Sequence, residues 1–199
     1  GTYGMYVFNV TKTCDFDSVM EFGAQSGGNA IRNTMAINRA GVAAGEGGIV
    51  HVPAGTFEVS DYNTAVDAAT SSSGTSASNT CIIGMASNQL WHGKGTIHDG
   101  QSTSNDVVFQ IDNSFTGVTV KGLTFTTLTG NAGVAIKAGT AENSTIDGCT
   151  TGDTSNGYAR GIECQGDGSR VTNCHIVNST GEGIVIASSG SGVTASNNR

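Results

Sequence analysis

The sequence carries little charge. Only 13% of its residues are Asp, Glu, Lys or Arg, and the net charge of −7 is spread along the chain. No block of basic residues and no row of aromatic residues beside Arg or Lys is present, so nucleic acid is not an expected partner. No apolar run approaches the roughly 20 residues that a membrane helix needs. The 30 glycines and the single proline show no three-residue period, which excludes a collagen.

Cysteine is also scarce and has no metal-binding spacing. The five cysteines form no Cys-x-x-Cys pair, so a zinc site is not predicted. A surface rich in Gly, Ser, Thr and Asn favours a secreted protein. We expect no cofactor; a weaker alternative is calcium, bound by Asp99 and Asp106 of the oxygen-rich segment DGQSTSND.

One segment has the pattern of a helix. In NTMAINRAGVAA, residues 33–44, the apolar residues share one side, Asn33 or Thr34 can cap the start, and Gly45 can end the helix. Almost all of the remaining sequence consists of short β-rich runs separated by Gly, Asn and Ser, which indicates an all-β fold. A length of 199 residues suits one domain with one core.

Internal repeats in the second half of the chain define the fold. The segments VTVKGLTF, STIDGCTT, SRVTNCHI and VTASNN begin at residues 118, 144, 169 and 193. Each has a small or apolar residue followed, two positions later, by Gly or Asn; these columns are Val120/Ile146/Val171/Ala195 and Gly122/Gly148/Asn173/Asn197. Gly and Asn accept the positive φ that a sharp bend requires.

A second set of repeats has nearly the same period. GVAI (133–136), GIEC (161–164) and GIVI (183–186) recur about every 25 residues, as the first set does. Two columns with one period indicate a solenoid, and short strands without long helices between them indicate a parallel β-helix.

The stretch GGIVHVPAGTFEVS (47–60) contains the only proline, Pro53. Together with EFGAQSGG (21–28) and the helical segment, it resembles the N-terminal block of the pectate-lyase-like superfamily. GKGTIHDG (93–100) is similar to a rung of the polygalacturonase-type hydrolases and viral tailspikes of that superfamily. The resemblance implies an all-β, right-handed parallel β-helix with an N-terminal capping helix, and it places Pro53 in a turn of the first rung.

We expect a single β-helix domain over residues 1–199. Residues 1–60 would form the cap and first rung, and residues 80–199 the stacked rungs. A rung that ends at Arg199 would expose strand edges and core ladders, which favours aggregation unless they are covered. The rungs are therefore expected to continue in further chain or to be covered by another subunit, as in a homo-oligomer such as a trimer.

Four charged residues are candidate catalytic residues on the outer face. The second set of repeats places Arg160 beside Glu182 on the next rung, with Glu163 and Lys137 close by diagonally. Two carboxylates on one face can act as acid and base in glycoside hydrolysis. A cation beside a uronate carboxylate, with a base, suits a lyase. The alternative is a ladder of ion pairs that stabilises neighbouring rungs.

Three further residues are candidate substrate-binding residues. Tyr158 and Asp153 belong to GDTSNGYAR (152–160), the longest insertion between rungs, and His175 lies in a separate outward column. A protruding loop could supply an aromatic platform for a sugar ring. The alternative is a plain polar loop.

The single tryptophan and two of the cysteines are predicted to be core residues. Trp91 is expected to pack within a rung rather than to bind sugar. Cys149 and Cys174 share a column, where reduced, stacked thiols are favoured over a disulfide.

The resemblance implies a polysaccharide partner. It allows a tailspike-like lyase, a glycoside hydrolase or a binding protein, in an extracellular, secreted or virion-surface location. The sequence lacks the family's Asn-Thr-Asp segment, adjacent Asp pair, GHG and RIK motifs and its pectate-lyase calcium triad. The alternative is a non-catalytic β-helix with a structural role in a fibre, virion or surface layer.

Overall fold

The computed structural model describes residues 16–60, 80–84, 86–100, 107–111, 113–128, 131–186 and 191–199. The helices within these residues are a short 3₁₀ helix, Val19–Phe22, and α1, Ala30–Ala44. The strands are β1 (Phe16–Ser18), β2 (Ile49–Val59), β3 (Thr80–Gly84), β4 (Leu90–Asp99), β5 (Val107–Ile111), β6 (Thr119–Lys121), β7 (Thr124–Thr127), β8 (Asn131–Ala138), β9 (Thr145–Asp147), β10 (Thr150–Thr151), β11 (Tyr158–Cys164), β12 (Arg170–Thr172), β13 (His175–Ile176), β14 (Glu182–Ile186) and β15 (Thr194–Ser196).

The strands pair in parallel and form three stacks, as a parallel β-helix requires. The first stack consists of β1, the initial halves of β2 and β4, and then β6, β9, β12 and β15. The second stack consists of the final halves of β2 and β4 followed by β7, β10 and β13. The third stack consists of β3, β5, β8, β11 and β14. The predicted parallel β-helix is confirmed.

The core lies between the three stacks. In the first stack, Trp91, Val120, Ile146 and Val171 lie in register and are fully buried, as predicted. The ring of Trp91 meets that of Phe109 from the third stack edge-on, with centroids 5.0 Å apart. Phe109 in turn meets Phe125 from the second stack at 6.2 Å. These edge-to-face contacts join the three stacks through aromatic side chains.

The bends between the first and second stacks have the predicted backbone. Gly122, Gly148, Asn173 and Asn197 all have φ between 55° and 70°. Only Gly and, at modest cost, Asn adopt this region readily. At the equivalent bend of the preceding rung, a Cβ added to Gly93 would overlap the backbone carbonyl of Val52, so this position admits no side chain.

The N-terminal helix is confirmed, but it begins three residues before the predicted start. Its N-cap is Asn29, whose side chain accepts a hydrogen bond from the Arg32 N–H at 3.2 Å. Asn33 and Thr34 are buried instead, and they tie the helix to its surroundings. The Asn33 Oδ1 accepts from the Gln25 N–H at 2.8 Å.

Pro53 does not lie in a turn between two strands. It lies within one long strand, β2, whose pairing with β4 is irregular between Val52 and Gly55. The prediction of a turn is therefore wrong. The expectation that Pro53 donates no ladder hydrogen bond agrees with the structure, because Pro53 has no N–H and lies where the pairing of β2 with β4 is interrupted.

Cys149 and Cys174 are free thiols. They are stacked and buried in the core, and no disulfide joins them. A hydrogen bond to Cys174, followed by burial, raises the pKa of the Cys149 thiol well above its usual range. Both thiols thus act as small apolar residues of the ladder.

The later rungs are more exposed than the earlier ones. Ile186 of β14 is 44% exposed, and β15 is exposed along its whole length. Neither of the helices described above is long and apolar enough to span a membrane.

Candidate functional site

The candidate site lies on the outer face of the third stack, across β8, β11 and β14. Arg160 pairs with Glu182 in register, as predicted from the repeats. The alignment of GVAI with GIEC is wrong by two residues: Lys137 lies opposite Glu163 rather than Gln165, and Ile136 rather than Val134 lies opposite Ile162. Because side chains alternate with a period of two, Ile136 and Lys137 keep their predicted faces and change only their neighbours. Val134 does not: it was predicted to face inward, but it lies opposite Arg160 and lines the outer groove.

A local distortion of β11 brings Arg160 and Glu163 to the same side. In a regular strand, residues three positions apart point to opposite faces. Here the register shifts between Tyr158 and Arg160, and Gly161 is skipped in the pairing with both neighbouring strands. A Cβ on Gly161 would come within 2.7 Å of the Thr151 Oγ1, so only glycine lets the backbone pass this close to the second stack.

Glu163 is the centre of the charged cluster. Its Oε2 accepts a hydrogen bond from the Arg160 Nη1 at 2.9 Å, and its Oε1 lies 3.7 Å from the Lys137 Nζ. The Gln165 Nε2 donates to the same Oε1 at 2.7 Å. The Glu163 side chain is only 5% exposed, so these two hydrogen bonds and the nearby ammonium group of Lys137 replace the water that its carboxylate would otherwise bind. Gln165 was not among the candidates, although its outward position beside Lys137 in the repeats is a usable signal.

Arg160 joins two carboxylates. Its Nη1 binds Glu163, and its Nε lies 3.4 Å from the Glu182 Oε2. The hydrogen bond and charge of Glu163, and then the hydrogen bond to Glu182, raise the pKa of the Arg160 guanidinium. The Glu182 side chain is 66% exposed, so this second contact is weak and open to exchange with a ligand.

The cluster lines a groove of about 350 Å³. Its walls include the charged residues just described and small residues of the adjoining segments, namely Gly133, Ala159, Thr180 and Gly181. Two cations and two carboxylates face it, so the formal charge of this set is zero. The structure thus brings together all four candidate catalytic residues, and their roles stay predictions.

The three candidate substrate-binding residues do not join this groove. Tyr158 is 1% exposed, and its hydroxyl donates to the Thr126 backbone oxygen at 2.7 Å. The predicted exposed platform is therefore wrong for Tyr158, because the apolar ring fills the core and its hydroxyl is used within the fold. Burial is also the main reason why the pKa of Tyr158 is raised well above its usual value.

Asp153 and His175 have other surroundings. The Asp153 Oδ1 accepts hydrogen bonds from the Ser155 and Asn156 N–H groups, each at 2.7 Å, so it organises its own loop. His175 pairs with Thr150 on the second stack, whereas the groove lies on the third.

The structure gives no support to calcium at the oxygen-rich turn. Asp99 is fully buried, and Asp106 lies outside the described residues. Among the residues that the structure describes, no group of three or more His, Cys, Asp or Glu side chains is placed to hold a metal ion.

Comparisons with known proteins bear on the fold. No protein-family model matches the chain, and no curated protein sequence matches it. A candidate glycosyl hydrolase from Parabacteroides merdae ATCC 43184 superimposes with a TM-score of 0.58 at 16% identity, over 94% of this chain and 98% of its own. A mutant tailspike protein of E. coli bacteriophage HK620, solved in complex with a pentasaccharide, superimposes with a TM-score of 0.57 at 16% identity.

The tailspike match covers 92% of this chain and 34% of the tailspike, so this chain spans about a third of that protein. Both neighbours are β-helix proteins. At such low identity the likeness shows the fold alone, and it agrees with the resemblance found in the sequence.

Proposed function

We propose that this protein binds polysaccharide through the groove on its third stack and acts outside the cell or on a virion surface. The observation that carries the proposal is the network of Arg160, Glu163, Lys137, Gln165 and Glu182, which spans three neighbouring rungs and presents Lys137, Arg160 and Glu182 to solvent around the buried Glu163. Such a row of fixed donors and acceptors suits a ligand with many hydroxyl groups. The structural neighbours, one of them solved with an oligosaccharide, add support by analogy of fold.

The charge balance of the groove favours a neutral polysaccharide over a polyanion. The two cations are already partnered by two carboxylates, so little positive charge is left for a uronate chain. The net charge of −7 would also repel a polyanion at a distance. Arg160 offers a planar set of donors to sugar hydroxyls, and the exposed carboxylate of Glu182 offers acceptors.

Cleavage is the second hypothesis, because two carboxylates share the groove. Hydrolysis would need one of them as a protonated acid and the other as a base or nucleophile. Glu182 is exposed and loosely held, which suits a base. Both oxygens of Glu163 are already engaged by two cations and an amide donor, which leaves neither oxygen free to contact a glycosidic oxygen. Binding therefore has better support than hydrolysis.

A panel of neutral and acidic polysaccharides tests the proposal. Binding to immobilised glycans is compared for the wild-type protein, R160Q in the groove, and R32Q on the exposed surface of α1 as the matched control. Loss of one arginine contact to a ligand is expected to weaken binding by about tenfold. R32Q should bind as the wild type does, and unfolding midpoints check that both variants are folded.

The same samples are assayed for new reducing ends and for unsaturated uronates, which report hydrolase and lyase activity respectively. Cleavage that is lost in E182Q would support the second hypothesis. If no polysaccharide binds, or if R160Q and the wild type bind equally well, the proposal is wrong. A structural role in a fibre, virion or surface layer would then be the better account.

A further inference from the structure

A second groove lies on the outer face of the first stack, beside the bends at Gly93 and Gly122. It has a volume of about 500 Å³, within the usual range for small-ligand sites. Leu90 and Ala54 supply apolar surface, and four basic side chains supply its polar groups: His51, His92, Lys94 and Lys121.

The strand register brings three of these basic residues into one column. His51 of β2 lies opposite His92 of β4, which lies opposite Lys121 of β6. The two imidazole rings are in contact, with centroids 4.9 Å apart. Residues on adjacent parallel strands are only about 4.8 Å apart, so the column concentrates basic groups on one short stretch of surface.

The basic character of this groove stands out against an acidic protein. No acidic side chain lines it among the described residues. One of its lysines pairs with a carboxylate of the next rung, because the Asp147 Oδ2 lies 3.2 Å from the Lys121 Nζ. Asp147 is itself fixed, because its Oδ1 accepts hydrogen bonds from the Thr172 hydroxyl and the Asn173 amide. Asp147 thus positions Lys121 at the rim of the groove.

Lys94 provides a cation that is open to a ligand. It is exposed and makes no ion pair within the part of the chain that the structure describes. A ligand anion could therefore contact both lysines. Lys94 has no carboxylate partner among the described residues, and Lys121 is held in place by Asp147.

We propose that this groove is a second binding site, separate from the groove on the third stack, for a sugar that carries a carboxylate. The carboxylate would bind the lysines, and the apolar face of the sugar ring would pack on Leu90 and Ala54. An inorganic anion shares the charge but not the ring, so apolar surface beside the cations favours an acidic sugar over free phosphate.

Binding at this site is expected to strengthen as the pH falls. Burial, and then the charge of His51, lowers the pKa of His92 below its usual value, so its ring is neutral at pH 7 and its positive charge grows as the pH falls. The charged and titratable groups that face this ring are His51 from β2, Lys94 from β4 and Lys121 from β6, with Asp147 behind Lys121. One added charge about 4 Å from a bound anion, in water, strengthens binding by about fivefold.

Calorimetric titration with sodium glucuronate, glucose and inorganic phosphate tests the proposal at pH 7.5 and pH 5. Glucuronate is expected to bind at least tenfold more tightly than either glucose or phosphate. The K94Q/K121Q double variant should lose at least tenfold in affinity for glucuronate, and H92Q should lose the dependence on pH. R32Q, on α1 and outside both grooves, is the matched control and should bind glucuronate as the wild type does, and R160Q tests whether the ligand lies in the other groove.

Each contrary result overturns a named part of the proposal. Equal binding of glucose and glucuronate, or wild-type affinity in K94Q/K121Q, would show that the groove is not an anion site. Equal binding of phosphate would show that it does not recognise a sugar. A loss of glucuronate binding in R160Q would place the ligand in the groove of the third stack instead. Unfolding midpoints of all variants confirm that each comparison is between folded proteins.

Discussion

Replacement of Glu163 by Gln tests how much the buried carboxylate of the charged cluster contributes to stability, separately from the exposed carboxylate of Glu182. The substitution keeps the shape of the side chain and removes its charge. Glu163 is 5% exposed and is held by Arg160 at 2.9 Å, Gln165 at 2.7 Å and Lys137 at 3.7 Å. The neutral amide would lose the ion pair with Lys137 and the charge assistance of the two hydrogen bonds, and it would bring one amide NH₂ toward the donors.

The expected loss of stability is moderate. Hydrogen bonds to a charged group contribute about 1.5–3 kcal/mol, but both cationic partners are partly exposed, and water can solvate them once the carboxylate is gone. We therefore expect E163Q to lower the free energy of unfolding by about 1–2 kcal/mol. E182Q is the matched control, because its side chain is 66% exposed and makes one contact at 3.4 Å. Its effect should stay within about 0.5 kcal/mol.

Equilibrium unfolding in urea measures both variants. The fluorescence of Trp91, the only tryptophan in the chain, reports on the core because this side chain is fully buried between the stacks. An unchanged slope with a shifted midpoint would assign the effect to stability rather than to a change in the unfolding reaction. If E163Q and E182Q have equal midpoints, Glu163 is not the anchor of the cluster and the energetic reasoning is refuted.

Three further predictions concern the stacked rungs and are checked by the same unfolding measurements. I146A should lower the free energy of unfolding by about 3 kcal/mol, because Ile146 is fully buried in the first-stack ladder and its truncation leaves a cavity. A loss below about 1 kcal/mol would contradict the strand register. G93A should be more than about 2 kcal/mol less stable than the wild type, because its Cβ would overlap the Val52 carbonyl. G148A should lose only about 1 kcal/mol, because Gly148 has a φ of 63° but open space around an added Cβ. Equal losses would show that backbone strain alone matters. The pKa of Asp147 is lowered mainly by hydrogen bonds from Asn173 and Thr172 and then by Lys121. Its contribution to stability is therefore present above about pH 4, the pKa in the unfolded chain, and is lost as the pH falls through the lower pKa of the folded protein. D147N should lose less stability than the wild type between pH 5 and pH 2, and an unchanged acid profile would refute the assignment.

The sequence by itself determined the architecture of this protein. A repeat of about 25 residues, with an apolar column and a Gly/Asn column, indicates stacked rungs with sharp bends because each bend needs positive φ. The first-stack ladder and the bends at Gly148 and Asn173 lie where this pattern places them. The pairing of Arg160 with Glu182 was also accessible, since the strands that contain GIEC and GIVI pair in the register in which these two repeats align.

Only the tertiary structure decided how the residues of the site contact one another. A shift of two residues leaves the inward and outward faces unchanged, so the hydrophobic pattern could not show that Lys137 lies opposite Glu163. The distortion at Gly161, which brings Arg160 and Glu163 together, depends on the close approach of the second stack. Tyr158 follows a polar loop in the sequence, yet its ring enters the core because the bend of the chain, and not the local composition, sets its direction.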